Sequence, residues 1–202
     1  MACWRKYPDV SGEFVQIDLL RHGETEGGAC YRGRTDDRLT ATGWQQMWHA
    51  VESVTPWLDI VSSPLSRCAS FANALAERHA TPLQLDERLR EMDFGDWEGR
   101  TAAELMTTAP DDLARFWRDP LHHGPPQGES LLSLQKRVLA AWNEIVGRQR
   151  PVLLVTHGGP IRIILNHVLD KLPERLMEIN VSHAALFRLR VSKNHVRVEM
   201  AE

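Results

Sequence analysis

The chain has 202 residues, a net charge of -3, 43% hydrophobic residues and 25% charged residues, ordinary values for a globular protein whose core needs no staples. The slight acidity gives no electrostatic reason to expect nucleic acid or an anionic membrane as partner, and no apolar run approaches the roughly 20 residues that cross a bilayer. Cys3, Cys30 and Cys68 are too few for a disulfide framework and form no CxxC zinc pair; they fit a reducing cytoplasm, and residues 1–9 lack the apolar stretch of a secretory signal.

In chain order, the β-rich residues 14–20 predict a buried strand that stops abruptly at Arg21-His22-Gly23. Thr40-Ala41-Thr42-Gly43 precedes a helical stretch to about residue 54. Residues 59–64 predict a second strand running into a helix over 65–79, with Leu65, Ala69, Ala72 and Ala76 at helical spacing. Residues 82–85 predict a short third strand. The polar, loop-rich stretch 86–126 carries Phe94, Trp97, Phe116 and Trp117 and predicts short helices near 101–107 and 110–118. A turn-prone break at 122–128 leads to a long amphipathic helix over 130–147 with Leu131, Leu134, Val138, Leu139 and Trp142 on one side. The apolar run 151–156 is the strongest strand signal and leads straight into His157-Gly158-Gly159-Pro160 and a helix to about 169. Residues 176–181, 186–191 and 195–199 predict closing strands, the last two a hairpin turning at Lys193-Asn194.

Strands alternating with helices predict an α/β fold. With no linker, repeat or low-complexity segment, residues 1–202 read as a single domain. Ligands in such sheets bind beyond the carboxyl ends of the strands. Arg21-His22, Ser62-Ser63 with Arg67, and His157 all follow such ends, so three distant segments are expected on one rim. Two histidines and two arginines there make a compact cationic pocket. The planar guanidinium fork matches phosphoryl oxygens and keeps its charge, while Gly23 and Gly158-Gly159 let backbone approach a ligand. The helix beginning near Pro160 offers amide groups to an anion. Histidine is a nucleophile when one ring nitrogen is bare and the other is held by a hydrogen bond. Neighbouring arginines disfavour its protonated form. Departure of an alcohol then needs a proton donor, and Glu91 and Glu98, set among aromatics, are both candidates.

These residues also carry a resemblance. Leu20-Arg21-His22-Gly23-Glu24-Thr25, Ser62-Ser63-Pro64-Leu65-Ser66-Arg67, Glu91-x-x-Phe94-Gly95-x-Trp97-Glu98-Gly99 and Val155-Thr156-His157-Gly158-Gly159 resemble, in order, the four motifs of the histidine phosphatase superfamily, the phosphoglycerate-mutase-like group. The resemblance implies a three-layer α/β/α sandwich with a mainly parallel, mixed central sheet, and chemistry without a metal or other cofactor. It implies His22 as the phosphorylated nucleophile. Arg21, Arg67 and His157 then hold the phosphoryl oxygens, and Glu91 is the proton donor and later the base that activates water. Gly23 and Thr25 of the first motif, Gly158 of the last, and Arg34 join them as substrate-binding positions. The segment from Cys30 to Gly43, with Gly128-Glu129-Ser130, is similar to the alpha-ribazole phosphatases of cobalamin synthesis, which implies alpha-ribazole 5'-phosphate as substrate. The alternatives are a mutase-like phosphotransferase and a broad-specificity small-molecule phosphatase.

The chain departs from the pattern in three places. Glu26-Gly27-Gly28-Ala29 stands where many relatives carry an asparagine, and Arg32 or Arg34 is expected to compensate. Phe71 replaces a common threonine, which reads as a packing change. The long insertion of the mutases is missing, which favours hydrolysis over transfer. Glu129 and Ser130 read as favouring the start of the long helix, His122-His123 as a solvated pair, and His183 as structural, with lining of the pocket as the second reading. Trp97 reads as an apolar wall that would help keep Glu91 protonated. The expected partner is a small phosphate ester, in the cytoplasm, with no nucleic acid or membrane; monomer and homodimer both stay open.

Overall fold

The computed structural model describes residues 14–52, 57–171, 173–192 and 196–200. Cys3, the proposed hairpin turn at Lys193-Asn194 and His195 lie outside them. The strands are β1 (Val15–Arg21), β2 (Asp59–Ser62), β3 (Leu83–Leu85), β4 (Val152–Thr156), β5 (Leu186–Val191) and β6 (Val196–Met200). The helices are α1 (Ala41–Val51), α2 (Ser66–His79), α3 (Ala102–Thr108), α4 (Pro110–Arg118), α5 (Leu131–Gly147) and α6 (Gly158–Val168). The strands form one sheet in the order β3-β2-β4-β1-β5-β6. Its first four strands are parallel, and β5 and β6 run antiparallel, so the sheet is mixed, as expected.

Burial on both faces makes the architecture three-layered. Ile17, Leu19, Val152 and Leu154 point to one core with α5 and α6. Leu20, Ile60, Leu153 and Val155 point to a second core with α1 and α2. The strict period of two along β1 and β4 distributes alternate side chains to the two layers. Phe71 sits fully buried in the second core, with its ring 4.9 Å from that of Trp48 and 5.8 Å from that of Trp44, as expected of a packing change. Asp18 is the exception on β1. It is fully buried and is held by Trp57 Nε1 at 3.0 Å and Arg188 Nε at 3.3 Å.

Helix starts follow their capping residues. Thr40 caps α1 by accepting from the Gly43 amide at 2.9 Å, Thr101 and Glu104 form a capping box on α3, Pro110 opens α4, and Ser130 caps α5. The Ser66 amide of α2 is instead satisfied from outside its helix, by Asp36 Oδ1 at 2.6 Å.

One element departs from expectation. The stretch 176–181 is not a strand; the chain forms a 3₁₀ turn at Pro173–Glu178. The interior positions of the sheet are filled, since β1 lies between β4 and β5 and β5 between β1 and β6, and the stretch packs against α6. Its carbonyls are instead used by side chains: Arg162 Nε donates to Ile179 O at 3.0 Å and Arg21 Nη1 to Val181 O at 2.6 Å.

Candidate active site

The neighbouring parallel strands β2, β4 and β1 end on the same rim, and the first residues beyond them remain tied together. The His22 amide donates to Thr156 O at 3.0 Å and the Ser63 amide to Val155 O at 2.9 Å. The rings of His22 and His157 consequently meet edge-on with centroids 5.2 Å apart, although the two residues are far apart in the chain. His183, expected to be structural, brings its ring to 5.7 Å from His22.

His22 is 5% exposed. Its Nδ1 lies 2.8 Å from the Gly23 carbonyl oxygen. A carbonyl can only accept, so Nδ1 carries the proton and Nε2 is left with its lone pair. Burial, then the Arg67 and Arg21 cations, push the imidazole well below its ordinary pKa, against the opposing pull of the Gly23 carbonyl. The neutral ring is therefore the resident form at neutral pH.

Arg67 and His157 stand behind this ring, both without solvent exposure. Arg67 Nε donates to His157 Nδ1 at 3.2 Å. Guanidinium only donates, so His157 holds its proton on Nε2 and gives it to Ser63 Oγ at 2.7 Å. The two histidines thus adopt opposite tautomers. Burial, Arg67 and His22 also hold His157 well below the usual imidazole range. The outer nitrogens of Arg67 grip the following loop, with Nη1 donating to Thr35 O at 2.7 Å and Nη2 to Gly33 O at 3.0 Å.

That loop is clamped again by Glu98. Its carboxylate accepts from the amides of Gly33 at 2.9 Å, Arg34 at 3.0 Å, Thr35 at 3.0 Å and Phe94 at 3.0 Å, and from Thr35 Oγ1 at 2.6 Å. Burial would raise this acid, but the donors outweigh it and hold Glu98 below the usual carboxylate range. Glu91 differs. One oxygen accepts from its neighbour Met92 N at 2.9 Å and the other from Gly159 N at 3.0 Å, in the first turn of α6. The first-turn amide expected to face an anionic ligand is thus spent on Glu91.

A cavity of about 260 Å³ opens over His22, lined by Arg21, Arg32, Glu91, Gly158, Gly159 and Arg162 on its polar side and by Tyr31, Phe94, Phe116, Leu131, Leu134 and Leu176 on its apolar side. Arg21 Nε is buried in this structure without a hydrogen-bond partner, an arrangement that costs free energy unless a ligand supplies an acceptor. Arg32 is almost fully used: Nε pairs with Asp37 Oδ2 at 2.5 Å, and Nη1 donates to Thr25 Oγ1 at 2.8 Å.

Several expectations are corrected. Arg34 does not line the cavity; it is largely exposed and pairs with Asp93 at 3.1 Å, because the amides of 33–35 are pinned to Glu98 and turn that side chain outward. Thr25 reaches the site only through Arg32. Gly23 is a packing position, since a Cβ there would collide with the Gly43 backbone at the start of α1. Trp97 does not wall the cavity; it is 2% exposed and packs against the Tyr31 and Phe116 rings behind it, at 5.6 and 5.4 Å. Glu129 is more than a helix start. It forms a two-pronged ion pair with Arg137 at 2.8 and 2.7 Å, and Arg137 also donates to the carbonyls of Arg88, Arg90 and Glu91 at 2.7–2.9 Å. Arg137 and Arg162 were not legible as site residues; the one available signal was an arginine on a helix otherwise turned toward the core. His122 and His123 both face Asp119 at the surface.

The comparisons fit this site. Residues 17–202 match the histidine phosphatase superfamily (branch 1), and the chain belongs to that family. It is 40% identical over 161 residues to a glucosyl-3-phosphoglycerate phosphatase of Mycolicibacterium vanbaalenii, covering 72% of this chain and 70% of that protein. It is 36% identical over 167 residues to a probable phosphoglycerate mutase of Proteus mirabilis, covering 77% and 75%. It also matches mycobacterial relatives at 35% identity of which it spans only 50%. The alpha-ribazole phosphatase structure from Shigella flexneri superposes with a TM-score of 0.81 over 92% of this chain and 95% of that one, at 23% identity, a likeness of fold alone. No helix of the described residues is long and apolar enough to cross a membrane.

Proposed function

We propose that this superfamily member is a phosphomonoester hydrolase, folded as one domain, that passes the phosphoryl group through His22. The observation that carries the proposal is the bare Nε2 of a buried, neutral His22, facing a cavity in which Arg21 Nε awaits an acceptor. Nε2 attacks phosphorus as the P–O bond to the alcohol breaks. Arg21 in the cavity and the Arg67 cation next to the nucleophile supply the positive surround for the phosphoryl oxygens, with the neutral His157 ring packed edge-on against His22. Glu91 gives its proton to the departing alkoxide, then takes one from the water that attacks the phosphohistidine, releasing inorganic phosphate. Glu91 is preferred to Glu98 because it lines the cavity, whereas Glu98 lies outside that wall and is held by the loop. Gly158, without a side chain, makes room for the Arg21 and Arg162 guanidiniums at the cavity wall. No metal enters these steps, and activity is expected to survive a chelator.

The substrate is a small phosphate ester. A phosphoglycerate-type ester, with its acid group beside the phosphate, is supported by the relative 40% identical to this chain. Alpha-ribazole 5'-phosphate is the second reading, supported by the loop from Cys30 to Gly43. A mutase would return the phosphoryl group to a second hydroxyl; the missing insertion supports hydrolysis.

The test is a rapid alkaline-quench experiment with labelled phosphate ester, scored for alkali-stable, acid-labile phosphoprotein and free phosphate. Wild type should show both, and His22→Ala neither, with turnover down at least about 10³-fold. Turnover retained by His22→Ala would sink the mechanism, and isomer formation without phosphate release would make the enzyme a mutase.

A further inference from the structure

The cavity holds one cation that the phosphoryl chemistry leaves unused. Arg162, on α6, is anchored by Nε to Ile179 O at 3.0 Å, a bond that fixes the fork while its two outer nitrogens take no hydrogen-bond partner among the described residues. Among the described residues no carboxylate lies within ion-pairing distance of it, and the nearest acid in the cavity, Glu91, spends both oxygens on backbone amides. Arg162 differs in this from its neighbours: Arg32 is neutralised by Asp37, and Arg137 by Glu129.

Its placement is also specific. A Cβ on Gly158 would stand 2.9 Å from Arg162 Nη1 and 3.7 Å from Arg21 Nε. The absent side chain makes room for both guanidiniums at the wall of the cavity that His22 also lines. Charge favours a second anionic group there. With the phosphoryl group held at Arg21 beside His22, the Arg162 guanidinium is surplus positive charge in the cavity wall. The rest of the wall is apolar, formed by Tyr31, Phe94, Leu131, Leu134 and Leu176, and offers that surplus charge no counterion. The geometry points to Arg162 as the specificity residue that receives a carboxylate carried on the alcohol, close to the phosphate ester. A planar carboxylate matches the two free N–H edges of the fork.

This inference rests on the phosphatase reading of the site, and its test separates the two. Binding is measured by calorimetry in the inactive His22→Ala protein, with and without Arg162→Met, using 3-phosphoglycerate, glycerol 3-phosphate and inorganic phosphate. Glycerol 3-phosphate keeps the phosphate and chain length but replaces the carboxylate by a hydroxymethyl group. Arg162→Met should weaken 3-phosphoglycerate at least about tenfold and the other two ligands less than threefold, with Arg162→Lys intermediate because it keeps the charge and loses the fork. In the active enzyme the same selective loss should appear in kcat/KM. Equal weakening of all three ligands would place Arg162 on the phosphoryl group and overturn the inference, as would unchanged binding of 3-phosphoglycerate. Unchanged glycerol 3-phosphate binding also shows that the variant is folded. If wild type hydrolyses neither ester, the phosphoglycerate-type substrate reading falls, and the binding comparison still decides the role of Arg162.

Discussion

The two ends of the cavity are built by different means. The phosphoryl end is carried on the ends of three adjacent parallel strands, its histidines fixed in opposite tautomers by a carbonyl on one side and a guanidinium on the other. The alcohol end is assembled from α4, α5, α6 and the 3₁₀ turn, with an apolar wall and a single cation. Trp117 Nε1 ties the rim of that wall to the Tyr31 hydroxyl at 2.9 Å. A strand end embedded in a sheet allows little displacement, which suits groups that must meet phosphorus within tenths of an ångström. Packed loop and helix surfaces can be changed without disturbing the strands, which suits the part that distinguishes one alcohol from another.

That contrast breaks if changes at the phosphoryl end alter substrate ranking, or if changes at the alcohol end lower all rates equally. The largest expected effect after loss of His22 is at Glu91. Glu91→Gln should lower kcat by about 10²–10⁴-fold for every ester with a poor leaving group, with phosphate affinity largely kept and a smaller loss for activated esters such as p-nitrophenyl phosphate. A larger loss in Glu98→Gln, measured on the same esters, would reverse the assignment of the two acids. Arg137→Met should cost about 2–3 kcal/mol of stability in denaturant titration, because it orphans the Glu129 carboxylate and three carbonyls. The residual kcat should fall by a similar factor on all substrates, since the backbone that aims Glu91 is loosened while the alcohol wall is untouched. Substrate-dependent losses would place Arg137 with the alcohol end.

The histidine pair predicts a pH response of stability. Both imidazoles are held below their ordinary value in the folded state, so the unfolded chain binds protons first as pH falls. Their contribution is complete above about pH 6.5 and is lost on acidification below it, with a slope approaching roughly 1.4 kcal/mol per pH unit for each ring. Denaturant midpoints compared at pH 7.5 and pH 5.5 should drop less in His157→Asn than in wild type; equal drops would mean the rings titrate normally. For the same reason the acid limb of kcat/KM should lie below the pKa of a free imidazole. The smallest effect is expected at Arg34, which belongs to neither end. Arg34→Ala should change kcat/KM by less than about twofold on all esters, as loss of an exposed ion pair with Asp93 implies, and a tenfold loss would return it to the site.

Most of the architecture was legible because it depends on short-range pattern. The apolar runs at 14–20 and 151–156 gave buried strands of the right type and place, and the capping residues Thr40, Thr101 and Ser130 marked helix starts within a residue. The stretch 176–181 was misread because Leu176, Ile179 and Val181 are apolar and buried, a property shared by a strand and by a 3₁₀ turn packed under a helix. Tertiary contacts distinguish the two: the carbonyls of Ile179 and Val181 are taken by Arg162 and Arg21 rather than by a neighbouring strand.

At the site, the sequence by itself determined the residue types and the strand ends that carry them: His22, His157, Arg21 and Arg67 follow from motif order and from where strands stop. Tertiary structure alone decided which charge meets which partner. It turned Arg34 outward, committed Glu98 to four donors of a loop more than sixty residues away, moved His183 beside His22, and left Arg162 without a carboxylate partner among the described residues. Local pattern fixes where a backbone goes because hydrogen bonding and burial act along a few residues, whereas the state of a charged group depends on every neighbour within several ångströms, and in a folded chain most of those neighbours come from elsewhere in the sequence.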